Sequence, residues 1–449
     1  MVANTEDSDL HEAPIKLEKG MYDSGPQLYQ ENHFKTEEPD HNHTTQYRGD
    51  GMRYRGKPEQ VGAACASDRG EAFLDVLLEG MTEGLDTEVS MDTIPTWVDL
   101  DLLRKGREFT TKYLFGVIFS HIPALAMVFT FQPGLEPIIF TGKSDTPFKA
   151  FRRYLSTVAS FISWYETDMI DKDSEGYKSM GAVRMMHASI YKKINEASEE
   201  EVRTKTTVQG RKTGVWSTYL EDLKKDFLAL DVDASKCPFA RIAAQSKEYG
   251  KFLYVNQLDL AYTQLGFVAF VILYPQYFGV HGATEEQLEA YCHLWRYLGH
   301  LLGIKDRYNI CSEKGLEDTR DRCRAVIEKW VKPGFREVTP DWEHMYRCLL
   351  EGLNHHGNGN TFGGSVSYLM WVLDIPVPNL RAKMTWFETF MFYFHCFMMC
   401  FLTRIPGVMM ILNHMVHRSI EWAKKASPEW LRKKKEIVYD YEKGSMGKI

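Results

Sequence analysis

The segment Gly181-Ala182-Val183-Arg184-Met185-Met186-His187-Ala188 sets a histidine three residues after an arginine in otherwise apolar surroundings. On a helix, positions i and i+3 share a side, so Arg184 and His187 can address one buried object. A neutral imidazole binds metal, and a guanidinium holds a carboxylate or steadies a polarised oxygen. An iron that carries carboxylate arms, as a haem does, asks for both functions. The plainer alternative is a core histidine bonded to a backbone carbonyl, with Arg184 reaching solvent. The octapeptide alone does not separate the two.

Three further segments carry groups of chemical interest. Phe151-Arg152-Arg153-Tyr154-Leu155-Ser156-Thr157 puts Arg153 and Thr157 on one helix face, and His187 follows thirty residues after Thr157. Asn256-Gln257-Leu258-Asp259-Leu260-Ala261-Tyr262-Thr263 opens a long apolar run, and Leu294 to Ile304 adds Trp295, Arg296 and His300. The eight cysteines are scattered without a Cys-x-x-Cys pair, which fits neither a zinc site nor a disulfide scaffold. Cys237-Pro238 is a dipeptide able to present a thiolate to haem, or simply an inert thiol at a turn. His33, His41 and His43 lie in a polar stretch and read as solvated. No paired Glu-x-x-His marks a di-iron bundle. Neither Gly-x-Ser-x-Gly nor His-Glu-x-x-His marks a hydrolase.

These groups need a scaffold, and its period is helical. The chain has 449 residues, 44% hydrophobic and 13% aromatic, with a net charge of −7 that argues against a nucleic-acid partner. Strand signals are sparse, so the expectation is an all-α fold: one large helical domain over 69–425. A disordered polar tail is expected over 1–68 and a charged, basic C-terminal tail over 426–449. Helical blocks are expected from Glu71, through Val98–Gly106, over 145–167 and over 181–197, with a loop at 198–212. The uncharged run Tyr113–Gln132 contains His121 and Pro123, and the proline should break or kink it. Thr284 and Gln287 form a capping-box pattern, and Gly303 should stop the helix that follows.

Three apolar runs, 113–132, 260–283 and 386–403, are long enough to invite comparison with membrane spans. The mean hydropathy of −0.35 and the prolines at 123 and 275 favour buried core helices for the first two. The third is rich in Phe and Met and is followed by the basic run Arg432–Lys435. It reads equally as a core helix or as a membrane dock, with 386–412 offering peripheral or single-helix membrane contact. Met1 to Leu10 is acidic and polar, not a secretory signal. The expected location is therefore intracellular, in the cytoplasm or on the cytoplasmic face of the endoplasmic reticulum, and not secreted.

Taken in order, the four segments resemble the haem b oxygenases of the latex-clearing-protein (rubber oxygenase) and MpaB type, over roughly Arg107 to Ile304. The resemblance implies a globin-like helical core around one haem b, and O₂-dependent oxidation of an unsaturated apolar substrate, with C=C cleavage as the family reaction. It implies His187 as the iron ligand and metal site, and Arg184 as the arginine of the same Arg-x-x-His motif. It further implies Arg153 and Thr157 at the distal side or pocket entrance, and Glu136 near the position of a catalytic base. The chain departs from the rubber-cleaving pattern at Ser156, where those members carry a lysine able to cap the iron. It departs again at Tyr191 and Lys192. A non-catalytic carrier of haem or an apolar ligand on the same fold is the alternative.

Overall fold

A computed structural model describes residues 68–85, 90–209, 214–232, 253–355, 359–437, 439–440 and 445–446. The expected tail over 1–68, with His33, His41 and His43, lies outside the described residues except for Asp68, which opens the first helix, and Cys65 and Cys237 lie outside them too.

Helices dominate. In chain order they are α1 (Asp68–Glu79), α2 (Leu100–Lys112), α3 (Leu114–Val128), α4 (Gln132–Phe140), α5 (Pro147–Glu166), α6 (Glu175–Glu196), α7 (Glu199–Lys205) and α8 (Leu220–Leu228). Then come α9 (Gln257–Leu273), α10 (Glu285–Leu301), α11 (Leu316–Val326), α12 (Pro340–Asn354), α13 (Phe362–Val372) and α14 (Pro378–Lys383). The last three are α15 (Trp386–Cys400), α16 (Val408–Lys424) and α17 (Pro428–Lys435). Among the described residues the only strands are the two-residue antiparallel partners Tyr439–Asp440 and Ser445–Met446.

Two helices form the inner wall of the core. α9 is apolar all round and buried along almost its whole length, as is required of a helix with neighbours on every side. α3 packs along it and α10 lies beside it. α2 crosses α10 at Gly106, where an added Cβ would sit 2.5 Å from the Ala290 carbonyl oxygen, so this crossing needs a residue with no side chain. Gly352 does the same for α12 on α5, with a Cβ 2.7 Å from the Phe151 nitrogen. Buried polar pins then fix the periphery. Glu343, fully buried on α12, accepts from the Tyr219 N–H at 3.1 Å and from Arg347 Nε at 2.9 Å.

Several expectations are met in detail. Thr284 accepts from Gln287 N–H while the Gln287 side chain accepts from Thr284 N–H. Gly303, at φ 92°, ends the turn after α10. Runs 113–132 and 260–283 are core, as expected.

Others are corrected. Pro123 does not break its run: α3 continues through it, and the chain bends sharply, by 83°, earlier, between α2 and α3. Residues 198–212 are not all loop, because α7 forms there. Ser198 caps Glu201 N–H, three glutamates occupy the first turn, and Arg203–Glu200 and Lys205–Glu201 pair along its side. α7 buries no residue, so it carries no apolar period to read. α6 begins at Glu175 under a Ser174 cap, six residues before Gly181. At the C-terminus, α17 seats Trp430 against Phe151, centroids 5.6 Å apart, and Leu431 joins a small cluster with Leu155 and Ile420.

Candidate functional site

α6 presents the pair that opened the sequence analysis, and its two faces separate cleanly. Met185 and Met186 are 70% and 48% exposed, while Arg184 is buried and the His187 ring turns inward. His187 Nδ1 is buried with no hydrogen-bond partner. Burial pulls the imidazole pKa down to about 4, and the positive charge of Arg153 on neighbouring α5 pushes the same way. The ring is therefore neutral at pH 7, the form with a lone pair to donate. Arg184 does something different from its neighbour: Nη1 donates to the Leu301 carbonyl oxygen at 3.3 Å, tying α6 to the C-terminal end of α10.

The packing of α5 against α6 brings Arg153 and His187 together although 34 positions separate them in sequence. Arg153 is half-buried and donates to the buried Ser144 hydroxyl at 3.2 Å. Thr157 shares its face, and its hydroxyl donates to the Arg153 carbonyl at 3.1 Å. The hydroxyl proton is thereby used within the helix, and the oxygen lone pairs remain able to accept. Ser156 points to solvent.

Glu136, on α4, belongs to a separate acidic group. The Tyr254 hydroxyl donates to it at 2.8 Å. Burial raises the Glu136 pKa, the Tyr254 hydrogen bond opposes that rise, and Asp341 adds to it. Asp259, fully enclosed at the start of α9, is pushed up to about 8, first by burial and further by Glu136. Its Oδ2 accepts from Asn256 N–H in a capping box, while Oδ1 is buried without a partner. Asn195, in the last turns of α6, holds Tyr254 through both backbone groups at 3.0 Å. Asn195 lies eight residues beyond His187, about 12 Å along the helix axis. α6 thus links the imidazole to the acid group at its far end.

Two groups escaped the sequence reading. Tyr254 precedes the quoted Asn256–Thr263 segment and carries no motif. His121 drew notice in the sequence as a polar group in an apolar run and, with His300 and Cys237, as a fallback to His187, with no sign of its surroundings. Its ring is buried on α3, with Phe161 at 5.1 Å and Phe267 at 4.8 Å between centroids, and Nε2 has no partner. Burial alone takes its pKa down to about 3. Phe267 stacks on Trp295 at 5.2 Å, which closes an aromatic wall around the imidazole. The exposure pattern of α3 could have shown His121 pointing inward, but nothing in the sequence said what it faces.

Among the described residues no three side chains of metal-ligating type gather. An ion that takes all its ligands from protein therefore has no donor set there. A lone imidazole, neutral and with an unspent nitrogen, suits an iron that brings four nitrogens of its own, so the donor chemistry fits a haem.

Residues 226–391 match the family described as the ER-bound oxygenase mpaB/B'/rubber oxygenase catalytic domain. The chain thus resembles the rubber-oxygenase and MpaB proteins over α9–α14 and the first six residues of α15. That stretch contains Asp259 and Trp295 but lies wholly after α4, α5 and α6, and so includes none of Glu136, Arg153, Thr157, Arg184 and His187. One similar solved structure is that of a latex clearing protein in the closed state: 14% identity, TM-score 0.41, covering 80% of this chain and 91% of that one. Direct comparison with curated proteins finds no match.

Proposed function

We propose that this chain is a haem b-dependent oxygenase that acts with O₂ on an unsaturated apolar substrate such as an isoprenoid or lipid. The observation that carries the reading is His187: half-buried with a buried, unpartnered Nδ1, held neutral, and inside the field of Arg153 across α5 and α6. The oxygenase family match over 226–391 supports the reaction class.

In this reading His187 is the protein ligand, and the haem supplies a redox-active iron with a coordination position left open. The remaining work falls to the chain. Arg153, braced by Ser144, holds a positive charge within electrostatic reach of His187, and on the distal side of a bound haem it would favour negative charge developing on a reacting oxygen. Glu136 and Tyr254 form a proton-holding pair: a carboxyl whose pKa is raised by burial and a hydroxyl donating to it. Raising a carboxyl pKa makes the ionised form a stronger base, which suits removal of an allylic proton. The Phe161, Phe267 and Trp295 wall packs around His121 and gives the core an apolar aromatic lining of the kind an apolar substrate needs.

A carrier without catalysis is the second reading, and one observation favours it. Thr157 spends its one hydroxyl proton on the Arg153 carbonyl, so it does not stand as a free distal donor, and only Arg153, with N–H groups beyond the one bonded to Ser144, is left for that role. Oxygen uptake separates the two. The ferrous protein is assayed against a panel of isoprenoids and unsaturated lipids, wild type beside Arg153→Ala. The oxygenase reading expects uptake above autoxidation and a loss of roughly ten- to a thousand-fold in the variant with haem retained. No uptake with any substrate favours the carrier; equal rates in the two proteins remove Arg153 from the reaction.

A further inference from the structure

The helical hairpin α15–α16 exposes an apolar surface that the core does not use. On α15 the stripe Trp386, Phe390, Phe394, Phe397 and Phe401 recurs every three to four residues, with exposures of 41% to 79%. Ile405 continues it through the bend, and Met410, Ile411 and Met415 carry it onto α16 at 58% to 71%. A scattered exposed leucine means nothing, whereas a continuous aromatic face of this length calls for an occupant.

Several polar groups on and around the hairpin are satisfied on its inner side, while Arg404, His414 and Arg418 stay exposed. Glu388 accepts from the Tyr219 hydroxyl at 2.6 Å and from Gly363 N–H at 3.1 Å. His281 Nε2 lies 2.8 Å from the Met399 carbonyl oxygen. Asn413 accepts from Phe115 N–H at 2.8 Å and donates to the Thr111 carbonyl at 3.0 Å, which anchors α16 at the α2–α3 elbow. The face is thus held rigidly outward, with its hydrogen bonds already made behind it.

Charge identifies the occupant. Between Glu388 and Glu421 there is no acidic residue, and the lysines and arginines number only Arg404 and Arg418. More bases flank this stretch, Arg381 and Lys383 before it and Lys424, Lys425 and Arg432–Lys435 after it. Lys383 pairs with Asp222, Lys424 and Lys425 share Glu421, Arg432 pairs with Glu436 and Lys433 with Glu429, so the bases still outnumber the acids between them. The chain as a whole carries −7, so this rim runs against the molecular sign and complements an anionic surface. Trp386 and Trp422 stand exposed at the two ends, the placement tryptophan takes at a membrane interface. Length decides the mode. α15 spans about 22 Å against a hydrocarbon core of ~30 Å, and the chain turns by 120° into α16. We propose that α15–α16 is a monotopic membrane dock, laying its aromatic stripe into one leaflet of a bilayer with anionic headgroups without crossing it. The proposal does not depend on the haem assignment.

The test is flotation of the purified full chain with vesicles of phosphatidylcholine alone or mixed with phosphatidylserine. The wild type should float with both, more tightly with phosphatidylserine. Phe390→Asp/Phe397→Asp should weaken binding by roughly 100-fold or more, from two lost aromatic anchors and two added charges. Its circular dichroism and melting should match wild type, because both positions are exposed. Arg404→Glu/Arg418→Glu should lose the phosphatidylserine preference. Brominated lipid should quench wild-type fluorescence more than that of Trp386→Phe/Trp422→Phe. A wild type that stays out of the lipid fraction overturns the proposal, as does an Asp variant that floats equally well. A discrete lipid-free dimer dissolved by the same Asp variant, without vesicle binding, assigns the face to a second copy instead.

Discussion

Asp259→Asn should stabilise the protein at neutral pH and do little in acid. Asp259 sits fully enclosed, its pKa moved from 3.8 in the unfolded chain to about 8 in the fold. A group whose folded pKa is raised contributes its stability in full below the unfolded pKa, and that contribution drains away as pH rises toward the folded pKa. Between about pH 4 and pH 8 the unfolded chain is therefore the form that loses the proton. A separation of about four pH units at ~1.4 kcal/mol per unit comes to about 6 kcal/mol, most of it already felt at pH 7. Asparagine is close to isosteric with the protonated acid. Its carbonyl oxygen can accept from Asn256 N–H as Oδ2 now does, and its NH₂ takes the place of the unpartnered Oδ1. The variant has nothing to ionise, so its advantage should grow from near zero at pH 4 to several kcal/mol at pH 8. Urea unfolding of the two proteins at half-unit pH steps reads this directly. An offset between the two curves that stays flat across the range would refute the reasoning, because it would mean that Asp259 ionises alike in both states.

His187→Ala should remove the Soret band of the haem-loaded protein while leaving far-UV circular dichroism unchanged; an intact Soret band would move the ligand elsewhere, with His121 the next buried imidazole. Tyr254→Phe deletes the hydrogen bond that holds the Glu136 pKa down. The acidic limb of the pH–rate profile should then shift to higher pH, and an unmoved limb would show that Glu136 is not the titrating base. Gly106→Ala forces a Cβ to within 2.5 Å of the Ala290 carbonyl oxygen and should cost about 1–3 kcal/mol in urea unfolding, with no change in helix content. A neutral result there would mean that α2 can ride away from α10 freely.

What the sequence determined by itself is local. Helix type, the Thr284–Gln287 box and the stop at Gly303 are interactions among residues three to five apart, so the chain writes them in one place. The arginine and histidine of α6 share a face for the same reason. Where a helix buries nothing the signal fails: α7 is built from a serine cap and charge pairs, and its apolar period is absent because its tertiary contacts are. Pro123 misled as a breaker for the converse reason, since packing against α9 keeps a buried helix continuous across a proline.

Tertiary structure alone decided the rest, because the deciding partners are distant in the chain. Arg153 reaches the field of His187 only when α5 lies on α6, and Tyr254 reaches Glu136 across 118 positions. The runs 260–283 and 386–403 are alike in composition, yet α9 is enclosed while α15 shows half its surface to the outside. Apolar content fixes that a helix must be covered. Which faces the protein covers, and which it leaves for something else, is set by how many neighbours the packing supplies.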